Sequence, residues 1–322
     1  MEAKVNPYLD KEKELAKQES FIDKQKWECM CPGCCERAIN SHLLQRNGIL
    51  NHIAKNGHLY EIRSEDFFKW HTNGPVKIKK IGIQQALSFP LFCSKHDTEI
   101  YKPIEESVVD FDDYKSQLLF SYRAACSELF KKRSNQIRYE FLPEGCAKNE
   151  SIEGTEKGIK DLLYYKYLFE DELKKSQGKF SFLHVSYPFI GVCASAAVSY
   201  EPIDFDKERS VMTAVKKKVW DGFFINVIPQ KESLEVIIGY HNNHVNSDML
   251  RYIESWKGLS FNKLQNKLTD LFCAKIESWS MSPDVFEHMS EGKKKWMMDV
   301  WKTISDDFQY DIRTELEGNL FE

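Results

Sequence analysis

Two short pairs of residues, Cys31-Pro32-Gly33-Cys34 and Cys93-Ser94-Lys95-His96, carry side chains suited to holding a metal. Zinc takes thiolate sulfur and imidazole nitrogen in four-coordinate structural sites. Two close pairs from distant segments are the usual way a chain supplies them. The spacing predicts one Zn2+ held by Cys31, Cys34, Cys93 and His96. Cys29, Cys35 and His42 stay open as alternative ligands. The chain has nine cysteines, four of them between positions 29 and 35. An odd, clustered set fits reduced thiols on a metal better than a disulfide framework.

Composition narrows the rest. A chain of 322 residues, 42% hydrophobic and 29% charged, can bury a core unaided and has the balance of a globular protein. No apolar run approaches the roughly 20 residues that a membrane helix needs. The charged first twenty residues lack the apolar stretch of a secretory signal, so a cytoplasmic location is expected. The net charge of −4 argues against binding polyanions through bulk charge. From Lys24 to Lys102, however, 12 Lys and Arg face 7 Asp and Glu, with five histidines besides. This local surplus permits the N-terminal part to contact nucleic acid. The chain has no Walker loop, dinucleotide fingerprint or nucleophile elbow, which removes the common nucleotide-driven and hydrolase classes.

The ligand pairs need elements to position them. Residues 1–26 read as a polar arm, 27–106 as a zinc module of short strands and loops, and 107–322 as a helix–sheet–helix domain. Within the module, 49–53 reads as a short helix and 58–62 as a strand. Cys93 should open a helix running through Ile104. Tyr114, Leu118, Tyr122, Cys126 and Leu129 recur at helical spacing over 112–138, and a second helix follows over 152–175. Runs rich in β-branched and aromatic residues at 180–185, 190–194, 223–228 and 234–239 read as strands, with a hairpin at 229–233. Their short links predict a mostly antiparallel sheet. Helices are expected again over 249–256, 261–279 and 283–303. The fold class is therefore α+β.

The order of these features resembles the zinc-stabilised form of the HNH (ββα-metal) nuclease superfamily, a treble-clef module. In that family a histidine ends the strand after the first pair and acts as general base, and the residue after the second pair binds a catalytic divalent ion. The resemblance implies that His42 is the base and Asp97 the ligand of Mg2+ or Mn2+, with Asn47, Asn51 or Asn56 orienting the histidine. The segments Ser41-His42-Leu43-Leu44-Gln45-Arg46 and Phe92-Cys93-Ser94-Lys95-His96-Asp97 are also similar to uncharacterised bacterial proteins found in phage-defence and mobile-element settings. Ser41 stands where many family members carry an acid, and the second pair ends in His96 instead of cysteine. Two functions follow: a metal-dependent nuclease, or a non-catalytic zinc-finger-type module that binds nucleic acid or protein. In either case residues 107–322 could receive a protein partner, and the oligomeric state stays open.

Other residues receive plainer readings. His58 is a polar loop residue at a strand start, and His241-Asn242-Asn243-His244 is a solvated strand-end loop. Cys193 is core, and the Lys216–Lys218 and Lys293–Lys295 runs are solvated faces.

Overall fold

The computed structural model describes residues 21–22, 24–64, 76–106, 108–140, 146–200, 219–306 and 311–322. Most of the N-terminal arm and the Lys216–Lys218 run lie outside the described residues. Four strands form the heart of the molecule: β5 (Phe180–Pro188), β6 (Val192–Ser199), β7 (Gly222–Pro229) and β8 (Ser233–His241). Their order is β6-β7-β8-β5, and every described strand pair in the protein is antiparallel, as the short links predicted.

Both faces of this sheet are covered, which is why its strands read as continuous apolar runs. Cys193, Phe224, Ile228 and Ile237 face a core shared with Leu118, Tyr122, Leu162 and Phe169 of two long helices, α2 (Tyr114–Glu140) and α3 (Cys146–Lys175). Val192, Ala194, Ile225, Val227, Val236 and Ile238 face the C-terminal helices. These are α4 (Ser247–Glu254), α5 (Phe261–Asp270), α6 (Pro283–His288) and α7 (Glu291–Asp306). At Gly222 any side chain would meet the Val198 carbonyl at 2.8 Å, so close strand approach requires glycine there. The first half of α2 is buried on nearly all sides, from Ser116 to Ser127. A helix buried all round shows no clean amphipathic stripe.

The N-terminal segment builds a two-stranded sheet from β1 (Ile39–His42) and β4 (Ser88–Phe92), followed at once by α1 (Ser94–Glu105). Between them, β2 (His58–Ser64) and β3 (Val76–Gly82) form a hairpin. It reaches the large sheet through β9 (Trp279–Met281), which pairs with β2 on one side and β6 on the other. Seven described strands thus run in the order β3-β2-β9-β6-β7-β8-β5. The core under α2 is continuous with Leu43, Leu50, Leu87 and Phe92 of the N-terminal segment.

Two helix expectations are corrected. The helix predicted over 261–279 ends at Asp270 and closes with a π-turn at Leu271–Lys275, where the Ile276 amide donates to the Leu271 carbonyl. Ile276 is then extended. In β9, Trp279 and Met281 bury toward the C-terminal helices while Ser280 bonds Glu61 on the other face, a period of two. The helix predicted over 283–303 breaks at extended Met289. The Ser282 and Ser290 hydroxyls accept from the Val285 and Lys293 amides and start two separate helices.

Glu61 ties these parts together. This buried carboxylate accepts from the Leu87 amide (2.8 Å), Ser280 Oγ (2.6 Å) and Arg63 Nη2 (2.5 Å). Burial pushes its pKa up even though all three partners favour the charged form. No described helix is long and apolar enough to cross a membrane.

Candidate metal centre

The chain brings four ligand atoms together: the sulfurs of Cys29, Cys34 and Cys93 and a nitrogen of His96, all within 4.8 Å of one another. The Cys29 and Cys93 sulfurs lie 3.4 and 3.3 Å from His96 Nδ1, and Cys34 Sγ lies 4.0 Å from Cys93 Sγ. A tetrahedron with Zn–S of about 2.3 Å and Zn–N of about 2.0–2.1 Å has edges of about 3.5–3.8 Å. These separations fit that tetrahedron, and 4.0 Å is far from a disulfide bond. A thiolate-rich Cys3His set suits a metal such as zinc.

The local fold explains the geometry. Residues 28–29 and 36–37 form a short antiparallel bridge in which the Cys29 amide donates to the Glu36 carbonyl. A tight turn joins them, with the Cys34 amide donating to the Cys31 carbonyl at 3.1 Å and Gly33 at φ +75°. That left-handed corner is glycine's natural place. The second pair opens α1. Cys93 is its N-cap, and the His96 amide holds the Cys93 thiol below the usual thiol range. Burial instead pushes the Cys29 thiol up to about 11. Metal would have to displace that proton, so binding releases it.

The gathered set differs from the expected one at one position: Cys29 stands where the spacing placed Cys31. Cys31 forms the first corner of the turn and packs half-buried against the core, while Cys29 is buried on the bridge leading in. Cys35 is exposed.

His42 ends β1, half-buried, and its Nε2 donates to the Ile83 carbonyl at 3.0 Å. Because a carbonyl only accepts, the proton sits on Nε2 and the lone pair on Nδ1. Burial lowers the His42 pKa, with the charges of Arg46 and Arg123 adding to it, so the ring is neutral near pH 7. Asn47 Oδ1 accepts from Arg46, and the Asn56 carbonyl is paired with His58 Nδ1.

Asp97 lies in the first turn of α1, and its Oδ1 is 3.6 Å from Arg123 Nη2. Arg123, on α2, is the most committed charged side chain of this region. It is 1% exposed, donates to Glu105 Oε1 at 2.7 Å, and lies over the Tyr101 ring with its guanidinium carbon 3.9 Å from the centroid. One guanidinium therefore grips α1 at residues 97, 101 and 105, along one face of that helix. Sequence reading missed Arg123 because its partners lie 18 to 26 positions upstream. The only local sign was a lone arginine inside an otherwise uncharged stretch, 116–127.

The plainer candidates are also located. His58 is exposed at the start of β2. His241, expected in a solvated loop, instead ends β8 buried; it accepts from the Asn243 amide and stands edge-on to Phe180, and burial pushes its pKa down to about 4. Cys193 is buried with its thiol pushed up, and Lys293–Lys295 occupy the first turn of α7. No protein-family model, curated protein or solved structure matches the chain.

Proposed function

We propose that the protein is a zinc-stapled binding module that holds nucleic acid without cutting it. The treble-clef arrangement, a cysteine turn, two short strands and a helix opened by the second ligand pair, is the architecture we assign to its N-terminal part. Zinc is the metal we assign to Cys29, Cys34, Cys93 and His96. The observation that carries the non-catalytic reading is Arg123. In a nuclease of the HNH type the carboxylate at Asp97 must be free to hold a divalent cation beside the base. Here a buried guanidinium already stands against that carboxylate, and a second cation there would meet direct repulsion at short range. Asp97 and Arg123 instead serve to fix α1, and His42 packs against the Ile83 carbonyl. The basic surplus of the N-terminal segment supports nucleic acid as the ligand.

The test is a gel-shift and cleavage assay on zinc-loaded protein with labelled single- and double-stranded oligonucleotides, with and without Mg2+ or Mn2+. The reading predicts salt-sensitive retention, no cleavage product, and no change with His42→Ala. Metal-dependent cleavage abolished by His42→Ala would restore the nuclease.

A further inference from the structure

A cleft of about 1140 Å3 opens where the N-terminal segment meets the large sheet. Its walls are the second half of α2, the stretch from Trp27 into β1, the start of β4, the ends of β2 and β9, the 273–278 connection and the second half of α7. Three properties distinguish it. The first is charge: Arg37, Arg63, Lys131, Arg138 and Lys275 line it against Glu61 and Glu277, in a chain whose net charge is −4. Lys131 and Lys275 are held by carboxylates, but Arg37 is exposed and has no ionic partner among the described residues. The second is aromatic surface. Trp27, Phe89 and Phe130 form a half-buried cluster on one wall, with Trp27 and Phe130 edge-to-face at 4.9 Å. The third is a set of unspent donors. Trp279 Nε1, Arg63 Nε and Ser134 Oγ are buried atoms without a hydrogen-bond partner, and all three belong to residues that line the cleft. Trp279 and Ser134 are only 1% and 3% exposed.

Buried donors left unmade are costly and call for an acceptor. Two of these atoms can only donate, so a ligand that satisfied them would bring acceptors, which phosphate and base oxygens supply. An oxygen-rich, anionic group beside half-open aromatic rings is the chemistry of a nucleotide: phosphate on the arginines, base on the rings. We infer that this cleft is a nucleotide-binding site, which takes either a free nucleoside triphosphate or an unpaired nucleotide of a single strand. The single-strand form rests on the nucleic-acid reading above and gives that reading a location; the free-nucleotide form stands without it.

The experiment uses full-length, zinc-loaded protein and two probes: a fluorescein-labelled oligothymidylate read by anisotropy, and ATP read by quenching of tryptophan fluorescence. Arg37→Glu should weaken the bound probe at least tenfold, because it replaces an exposed phosphate contact with a repulsive charge. Trp27→Leu should weaken it about 5- to 100-fold through lost stacking. Lys263→Glu, exposed on α5 and not among the residues lining the cleft, should change affinity less than twofold. Zinc content and melting temperature matching the parent keep the Arg37 variant interpretable if Trp27→Leu misfolds. Oligonucleotide binding with the Arg37 dependence assigns the site to single strands. ATP binding alone assigns it to free nucleotides and removes the nucleic-acid reading. Oligonucleotide binding indifferent to Arg37→Glu overturns the cleft but leaves that reading, and no binding of either probe overturns both.

Discussion

The N-terminal segment and the large sheet are held by different means. In the sheet, β5 and β8 pair over nine residues, and the side chains of β7 are buried from end to end. Apolar burial on two faces secures those strands. In the N-terminal segment, β1 and β4 pair over only four or five residues, and α1 has just Tyr101 and Ile104 buried. The segment's buried residues, among them Leu43, Leu50, Leu87 and Phe92, join the core under α2, so its strands depend less on their own pairing than the central ones do. The elements also meet at points: the candidate metal ligands at the start of α1, Arg123 along its length, and Glu61 at the hairpin. The N-terminal segment thus adds buried charges to its share of the core, and a candidate metal cluster that the central sheet lacks among the described residues.

The largest effect should come from breaking the point fixings. Chelating the metal should expose the segment from Cys29 to Glu105 to proteolysis and hydrogen exchange while β5–β8 stay protected, because structural zinc contributes of order 10 kcal/mol to the fold that holds it. Equal loss of protection in both regions would remove the distinction. Next comes Arg123→Met. It leaves Asp97 and Glu105 without their cation and should cost about 3–5 kcal/mol, measured by denaturant unfolding. A loss below about 1 kcal/mol would mean that α1 does not depend on the clamp. Ile237→Ala in the sheet should cost about 2–5 kcal/mol as a cavity yet leave zinc content unchanged.

The smallest effect sharpens the comparison inside the large sheet through pH. His184 donates to Asp112 and Glu235, and its pKa is raised by the Glu235 bond first. Its contribution is fully present below the unfolded value of 6.5 and is lost as pH rises through the raised folded value. His241 has the opposite sign. Its folded pKa near 4 means that stability is lost as pH falls from 6.5 toward 4, where the unfolded chain takes the proton first. His184→Gln should lower Tm by about 2–4 °C at pH 6 and less at pH 8, whereas His241→Gln should flatten the acid side of the profile. Identical pH profiles for the two variants would contradict these assignments.

Legibility in the sequence follows the range of the interaction. The two long helices and the four central strands were readable locally, the helices from apolar spacing and the strands as β-branched and aromatic runs, whereas the helices expected over 261–279 and 283–303 were drawn too long. Trp279–Met281 was not: three residues are too few to show alternation, and the strand exists only because β2 and β6 flank it. The metal pairs were visible as pairs, but the two-residue spacing favoured Cys31, whereas the structure gathers Cys29. Only the turn at 31–34 decides which of them is carried on the bridge beside Cys34. Arg123 and Glu61 were illegible for the same reason, since their partners are tertiary.

The most direct measurement is zinc stoichiometry of the purified protein beside its Cys29→Ser and Cys31→Ser variants. The account predicts one zinc per chain in the parent and in Cys31→Ser, and loss of tight zinc in Cys29→Ser. Zinc lost with Cys31 but kept without Cys29, or no zinc in the parent, would contradict it.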